Sequence, residues 1–236
     1  MLVEQNGSNR ILAALSPESR QVLMAQAERV ELRQGQSFDR RLKSVAGAYF
    51  PLSGILSVQM LLRQGGTVEV GLVGRESLLV VHEADRISSN QLSVRRSGAA
   101  LRVPFEILFA QCRCDPLLER IVQARWVAIV GSVSQIAACN RHHRIDQQLS
   151  RWILDYLDHD DLNEITESQE WIASALGVRR EGVTEALGRL QKRGMISVAR
   201  RSLQVLDRLR LEAASCECYR IIRDLRRIDL PAPQFV

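Results

Sequence analysis

The segment from Trp171 to Ile196, WIASALGVRREGVTEALGRLQKRGMI, constrains this chain more than any other, because it reads as two short helices joined by a tight glycine turn. With Gln169 as position one, Ala173 falls at position five, Gly177 at nine and Val183 at fifteen. A small residue at the fifth position lets the second helix approach the first. A glycine at the turn accepts a positive φ without a Cβ penalty. Ile172, Leu176, Val178, Val183, Ala186, Leu187 and Leu190 recur at helical spacing and form one apolar face. The pattern predicts a helix-turn-helix.

The residues left outside at the start of the second helix are Arg179, Arg180, Glu181, Thr184 and Glu185. In a helix-turn-helix this end enters the major groove of DNA. The arginine fork matches guanine O6 and N7, and a glutamate accepts from cytosine N4, so Arg180 and Glu181 are candidates to read adjacent base pairs, with Glu185 as a third reader. Ser168 stands where it would cap the first helix and reach a phosphate. A solvated helix face is the plain alternative, since Arg and Glu a few residues apart are ordinary there. Gly182 and Gly188 each weaken the helix by about 1 kcal/mol relative to Ala, and either glycine would allow a close approach.

Gly194 ends the second helix; Met195 to Val198 and Leu203 to Leu206 have strand character, with Arg200, Arg201 and Ser202 between them. A hairpin with arginines at its tip suits phosphate contact and makes the motif a winged one. From Arg179 to Arg210 there are nine basic and three acidic residues, a local net of +6 against +5 for the entire chain. Positive charge is therefore concentrated where counterion-release binding to DNA would need it.

A chain of 236 residues with 46% hydrophobic content exceeds one such module and predicts a second domain. No run of about 18 apolar residues is evident, and Met1 to Arg10 is too polar for a signal peptide, so a cytoplasmic location is expected. After a short helix near Pro17 to Ala27, the N-terminal part alternates short strand-like runs with Gly35, Gly47, Pro51, Gly54, Gly65-Gly66, Gly74 and Gly98. That density of strands and turns suggests an antiparallel barrel or roll, holding either a small ligand or only its own side chains. A helix follows from about Pro116 to Ala138, in which Val122, Trp126, Ile129, Val133 and Ile136 recur at the spacing of a coiled-coil seam. These five are the candidate dimer interface, the alternative being a helix packed on its own domain. Two-fold pairing there would place two recognition helices about one DNA turn apart and match an inverted repeat.

A β-roll, a long central helix and a C-terminal winged helix-turn-helix together resemble the Crp/Fnr transcription regulators over nearly the full length. The matching segments are YFPLSGILSV (Tyr49 to Val58), VEVGLVGRES (Val68 to Ser77), AACNRHHRIDQQLSRWIL (Ala137 to Leu154) and LGVRREGVTEAL (Leu176 to Leu187). The resemblance implies an α+β chain with an N-terminal antiparallel β-roll of cupin or jelly-roll type over residues 1–115, a central dimerisation helix over 116–145, and a winged helix-turn-helix DNA-binding domain with a helical tail over 146–236. It also implies a cyclic-nucleotide-binding-like sensor, a homodimer on double-stranded DNA and RNA polymerase as a further partner. It places base readout at Arg180, Glu181 and position 185, where Glu185 stands in place of the arginine of many members.

The effector stays unknown. Cyclic-AMP-binding members have a glutamate after a glycine turn and an arginine-bearing segment that grips the phosphate. Gly74, Arg75 and Glu76 retain the first and form a candidate effector pocket, but Ser88, Ser89, Asn90 and Gln91 stand where the arginine belongs. Iron-sulfur members need an N-terminal cysteine cluster, and there is no cysteine before Cys112. Cys112 with Cys114 and Cys216 with Cys218 lack Cys-x-x-Cys spacing, Cys139 stands apart, and His82, His142, His143 and His159 show no ligand spacing, so no metal site is expected and the thiols are read as reduced. No phosphate loop, nucleophile elbow or zinc-hydrolase motif points to an enzyme. The alternative function is a ligand-sensing or protein-interaction module whose winged helix docks a protein, which would not call for the local +6.

Overall fold

A computed structural model describes residues 9–38, 46–63, 65–81, 90–159, 163–200 and 202–227. They form two compact units, each discontinuous in sequence: Met1–Val58 with Val73–Ile129 and Arg226–Val236, and Gln59–Leu72 with Val130–Leu225. These units cross the expected boundaries near 115 and 145, because one hairpin and one helix are shared between them.

The first unit begins with α1 (Arg10–Ala14) and α2 (Pro17–Ala25). Asn9 caps α1 by accepting from the amides of Ile11 and Leu12, and its Nδ2 donates to the carbonyls of Pro51 at 3.1 Å and Ser77 at 2.8 Å. One buried side chain thus fixes a helix start to a strand and to a loop. The strands are β1 (Glu28–Leu32), β2 (Ser37–Phe38), β3 (Gly47–Leu61), β4 (Thr67–Val73), β5 (Leu79–Val81) and β6 (Asn90–Val103). They form a sheet of order β1-β6-β3-β4, with β2 also on β6 and β5 on β3. β1 lies antiparallel to β6, Glu28 opposite Arg102 and Leu32 opposite Gly98, and β5 lies antiparallel to β3, Gly47 opposite Val81.

Alternation along β3 sends neighbours to opposite faces. Ala48 and Phe50 join Ile11, Leu23, Leu118 and Ile121 in the core beneath the helices, whereas Tyr49 joins Phe38, Val81, Leu92 and Val94 inside the roll; beyond Gly54 the phase changes, and Leu56 joins the roll interior too. The interior thus carries packed side chains, including an edge-to-face pair of Phe38 and Tyr49 at 5.8 Å. Gly54 and Gly98, expected as turns, lie inside β3 and β6. A Cβ on Gly98 would stand 2.3 Å from the Ser53 carbonyl oxygen, and one on Gly54, at φ +83°, would stand 2.6 Å from that of Arg96. The two glycines serve a close approach of two backbones.

α3 (Phe105–Cys114) leads into α4 (Pro116–His142). Asp115 accepts from the amides of Leu117 at 2.8 Å and Leu118 at 3.2 Å, and Pro116 follows at the first helical position, where its missing N–H costs nothing. Burial pushes the Asp115 carboxyl up, but hydrogen bonds from Ser19 and the two amides outweigh it and hold the group below its ordinary range.

The second unit contains α5 (Ile145–Asp158), β7 (Glu164–Ile165), α6 (Gln169–Leu176), α7 (Arg180–Lys192), β8 (Ile196–Val198), β9 (Leu203–Val205), α8 (Arg208–Ala214) and α9 (Cys218–Arg226). α5 is buried on every side from Gln148 to Leu157 and forms the centre of this unit. Trp152 lies 5.4 Å from the Tyr156 ring and 5.7 Å from that of Trp171, joining α5 to α6 through tilted aromatic contacts. Trp152 Nε1 donates to Glu69 on the β3–β4 hairpin at 2.9 Å, and Thr67 and Ser174 share a hydrogen bond, so residues 59–72 are part of this unit's own packing. The strands order as β7-β9-β8, all antiparallel.

Candidate nucleic-acid interface

The two helices of the motif start and stop where their local chemistry directs. Ser168 is the N-cap of α6 and its hydroxyl accepts from the Trp171 amide at 3.1 Å. Gly177 ends α6 in the left-handed region, at φ 67° and ψ 32°, and the Val178 amide donates back to the Ala173 carbonyl. Ile172, Ala173, Leu176, Val183, Ala186, Leu187 and Leu190 are all buried, which fixes α7 against α6. Gly182 sits where α7 meets the start of α5, and a Cβ there would lie 2.9 Å from Ile145 Cδ1; at Gly188 the space is open. Only Gly182 therefore serves a close approach to a neighbouring helix.

The opposite face of α7 is exposed and begins with Arg179 as N-cap, followed by Arg180, Glu181, Thr184 and Glu185. Arg180, Thr184 and Glu185 are held by ion pairs and hydrogen bonds. Arg180 reaches Glu170 at 3.0 Å, with both side chains about 60% exposed. Thr184 Oγ1 donates to Gln169 Oε1 at 2.7 Å. Glu185 pairs with Arg189 at 3.5 Å, and the Arg189 fork is bidentate on Asp146 of α5, with its Nε at 2.9 Å and its NH2 at 2.6 Å. The Asp146 hydrogen bond raises the Arg189 guanidinium above its ordinary value.

Part of the local +6 is thereby committed inside the domain. Arg189 braces α7 on α5, and Arg208 is bound to Asp158, Glu212 and the Tyr219 hydroxyl. Arg179, Lys192, Arg193 and Arg200 remain exposed. The wing is the β8–β9 hairpin, closed by the Ala199 amide on the Ser202 carbonyl at 2.8 Å, with Arg200 exposed at its tip. Arg201 lies outside the described residues, as do His82, Ser88 and Ser89.

Of the candidate effector residues, Gly74 and Glu76 are buried and Arg75 is half-buried. Glu76 is buried and its Oε1 accepts from the Gly74 amide at 3.2 Å, and the Arg75 carbonyl accepts from the Arg10 amide at 2.8 Å. Both interactions close the turn and fasten the start of α1.

The five α4 residues expected at a dimer interface differ in their exposure. Trp126 and Val133 are exposed, whereas Ile136 is 7% exposed and Val122 is half-buried against the core of the first unit. Ile129 is half-buried. On α4 the large apolar side chains exposed to solvent are Trp126 at 51%, Val127 at 68%, Val130 at 61% and Val133 at 36%. By length and composition α4 would also suffice to cross a membrane, contrary to the expectation that no such run exists. It carries Arg125 at its middle, buried and donating to the Arg226 carbonyl at 2.9 Å.

The structure also corrects the reading of the cysteines and histidines as unrelated. Cys139, His143, Cys216 and Cys218 converge, their ligand atoms all within 4.8 Å of one another. Spacing within each pair hid this, because the convergence joins α4 to a loop some 70 residues further along. Cys112 and Cys114 take no part; burial, with Glu119 and Asp115 adding to it, pushes the Cys112 thiol up to about 11, and Cys114 is exposed.

A capped helix, a left-handed glycine, a recognition helix with a polar outer face and a β-hairpin wing define a winged helix-turn-helix DNA-binding domain. Residues 147–214 match the Crp-like helix-turn-helix domain family. No curated protein matches the chain. Among solved structures, a regulator of the Crp/Fnr family from Eubacterium rectale superposes with a TM-score of 0.67 at 16% identity, covering 87% of this chain and 97% of that one. FixK2 from Bradyrhizobium japonicum does so at 0.66 and 14% identity, covering 80% and 98%. The c-di-GMP-responsive global regulator CLP from Xanthomonas campestris gives 0.63 at 14% identity, covering 80% and 99%. The chain has the Crp/Fnr-type transcription regulator fold and carries a Crp-like DNA-binding domain.

Proposed function

We propose that this chain is a sequence-specific transcriptional regulator that binds an inverted-repeat operator as a homodimer. The observation that carries the reading is the outer face of α7, where Arg180, Glu181 and Glu185 stand exposed on a helix whose other face is fully buried. Arg180 and Glu181 are at the first two helical positions, the end that meets base edges in this motif. Ser168, Arg179, Thr184, Arg200 and Arg201 are the phosphate and supporting contacts. Thr184 acts by fixing Gln169 across the two helices.

The dimer forms along α4 through the adjacent Trp126 and Val127, followed at three-residue steps by Val130 and Val133, all of them exposed. The inward carboxylate of Glu76 and the side chains inside the roll argue against cyclic AMP as the effector. A c-di-GMP response is named for one structural neighbour, and the nucleotide-binding ancestry of the roll makes cyclic dinucleotides the first ligands to test.

The test is selection of bound sequences from a random DNA pool by the purified chain at two salt concentrations. Enrichment of an inverted repeat with a steep fall of affinity in salt is expected. Binding of a protein partner with weak salt dependence, and no enriched DNA, would overturn the reading.

A further inference from the structure

We propose that Cys139, His143, Cys216 and Cys218 form a mononuclear zinc site that fastens the C-terminal helices of the second unit to α4. Cys139 and His143 are four residues apart on one helical face, the His143 amide still donating to the Cys139 carbonyl at 3.0 Å. Cys216 and Cys218 come from the turn between α8 and α9, closed by the Tyr219 amide on the Cys216 carbonyl at 3.1 Å. All three sulfurs belong to buried residues, and among the described residues no other joins their apolar cluster.

The distances suit a single ion. Cys139 Sγ lies 3.5 Å from Cys216 Sγ, and Cys218 Sγ lies 3.5 Å from His143 Nδ1, within a set spanning at most 4.8 Å. A tetrahedron with such edges has its centre roughly 2.1 to 2.9 Å from each corner, against about 2.3 Å for Zn–S and about 2.0 to 2.1 Å for Zn–N. A multi-iron cluster needs its thiolates further apart. Three soft sulfurs and one imidazole are the donor set of structural zinc.

The surroundings are arranged as a ligand set requires. His143 Nε2 faces Glu217 at 3.3 Å, which leaves Nδ1 turned toward the sulfurs. A carboxylate behind a ligating histidine fixes its tautomer and orientation. Gln135 Nε2 donates to Cys218 Sγ at 3.0 Å, an N–H aimed at a sulfur as a thiolate would favour. Buried Arg151 lies within electrostatic reach of Cys139, and its single charge matches the net −1 of zinc bound by three thiolates and a neutral imidazole. On binding, each thiol gives its proton to solvent as its sulfur–zinc bond forms.

The full chain, purified under reducing conditions without chelator, should contain one zinc per chain by elemental mass spectrometry. The zinc-stripped chain should take up cobalt(II) with the intense visible absorption of tetrahedral thiolate coordination. Glu217→Gln, at a side chain 69% exposed, should weaken zinc binding by about 10- to 100-fold without unfolding. Cys218→Ser should abolish stoichiometric zinc, whereas Cys114→Ser should leave it in place. Absence of zinc together with no cobalt spectrum in the folded, reduced chain overturns the site. So does a Cys139–Cys216 disulfide in its place, or a zinc affinity unchanged by both Glu217→Gln and Cys218→Ser.

Discussion

Arg180 cannot read a base without first leaving Glu170. The pair is 3.0 Å apart with both side chains about 60% exposed, and such an exposed pair is worth about 0.2 to 1 kcal/mol. A bidentate contact to guanine contributes about 1 to 3 kcal/mol of discrimination, so contact with DNA outweighs the internal pair. Arg180→Ala should therefore weaken operator binding by about 5- to 150-fold and relax the preference at one base pair. Glu170→Ala should do the opposite, tightening binding by about 1.4- to 5-fold, the ion-pair energy no longer lost. In the double variant the gain should vanish, since Glu170 acts through Arg180. Titration of all four proteins against the selected operator and a scrambled duplex, at one fixed salt concentration, measures the cycle. If Glu170→Ala tightens binding equally without Arg180, the glutamate repels phosphate directly. If Arg180→Ala loses as much affinity for the scrambled duplex, Arg180 is a phosphate contact and the base-reading argument fails.

Three further outcomes are expected. Gly188→Ala should stabilise the chain by about 0.5 to 1 kcal/mol, since a Cβ there meets nothing within 4 Å; a fall in thermal midpoint or in operator affinity would show that α7 needs the bare backbone. Val130→Glu should give soluble, folded monomers with weak operator binding by light scattering and titration, whereas Ile136→Glu should destabilise the fold itself, because Val130 is 61% exposed and Ile136 only 7%. A dimeric Val130→Glu would remove the seam from this face. Alkylation at pH 8 should label exposed Cys114 well before Cys112. The raised Cys112 thiol favours folding fully below its ordinary value of 9.0, and that contribution should be lost as pH rises toward about 11. Equal labelling of both cysteines in the native chain would contradict the burial argument.

The motif was legible because its signals are local. Ser168, Ala173, Gly177 and Val183 act within a few residues of themselves, and the structure places the cap, the close contact, the left-handed turn and the buried anchor at those positions. Glycine in the roll was ambiguous, since Gly54 and Gly98 look like turn residues in sequence yet serve a backbone approach between positions 44 apart. The α4 seam was ambiguous for a related reason. Trp126, Val127, Val130 and Val133 are exposed while Ile136 is buried and Val122 half-buried, so periodicity alone fits more than one face. α5 went unread because Gln148, Ser150, Arg151 and Asp155 look like surface residues, whereas the structure buries them. The Asp146–Arg189 brace and the cysteine–histidine cluster depend on tertiary folding and have no local pattern.

The hairpin tip bears on how such regulators recombine. Glu69 accepts from Trp152, Thr67 meets Ser174, and the Val68 side chain lies at contact distance from the Cβ position of the turn glycine, Gly177. A fragment spanning only the matched region, residues 147–214, would leave the Trp152 indole without its acceptor and strip a cover from the turn of the reading motif. The DNA-binding half is therefore not portable as one continuous piece of chain. An exchange of N-terminal rolls between chains of this fold would carry in a foreign residue 59–72 loop, and the transplanted protein would keep an intact helix-turn-helix only where that loop matched its new host.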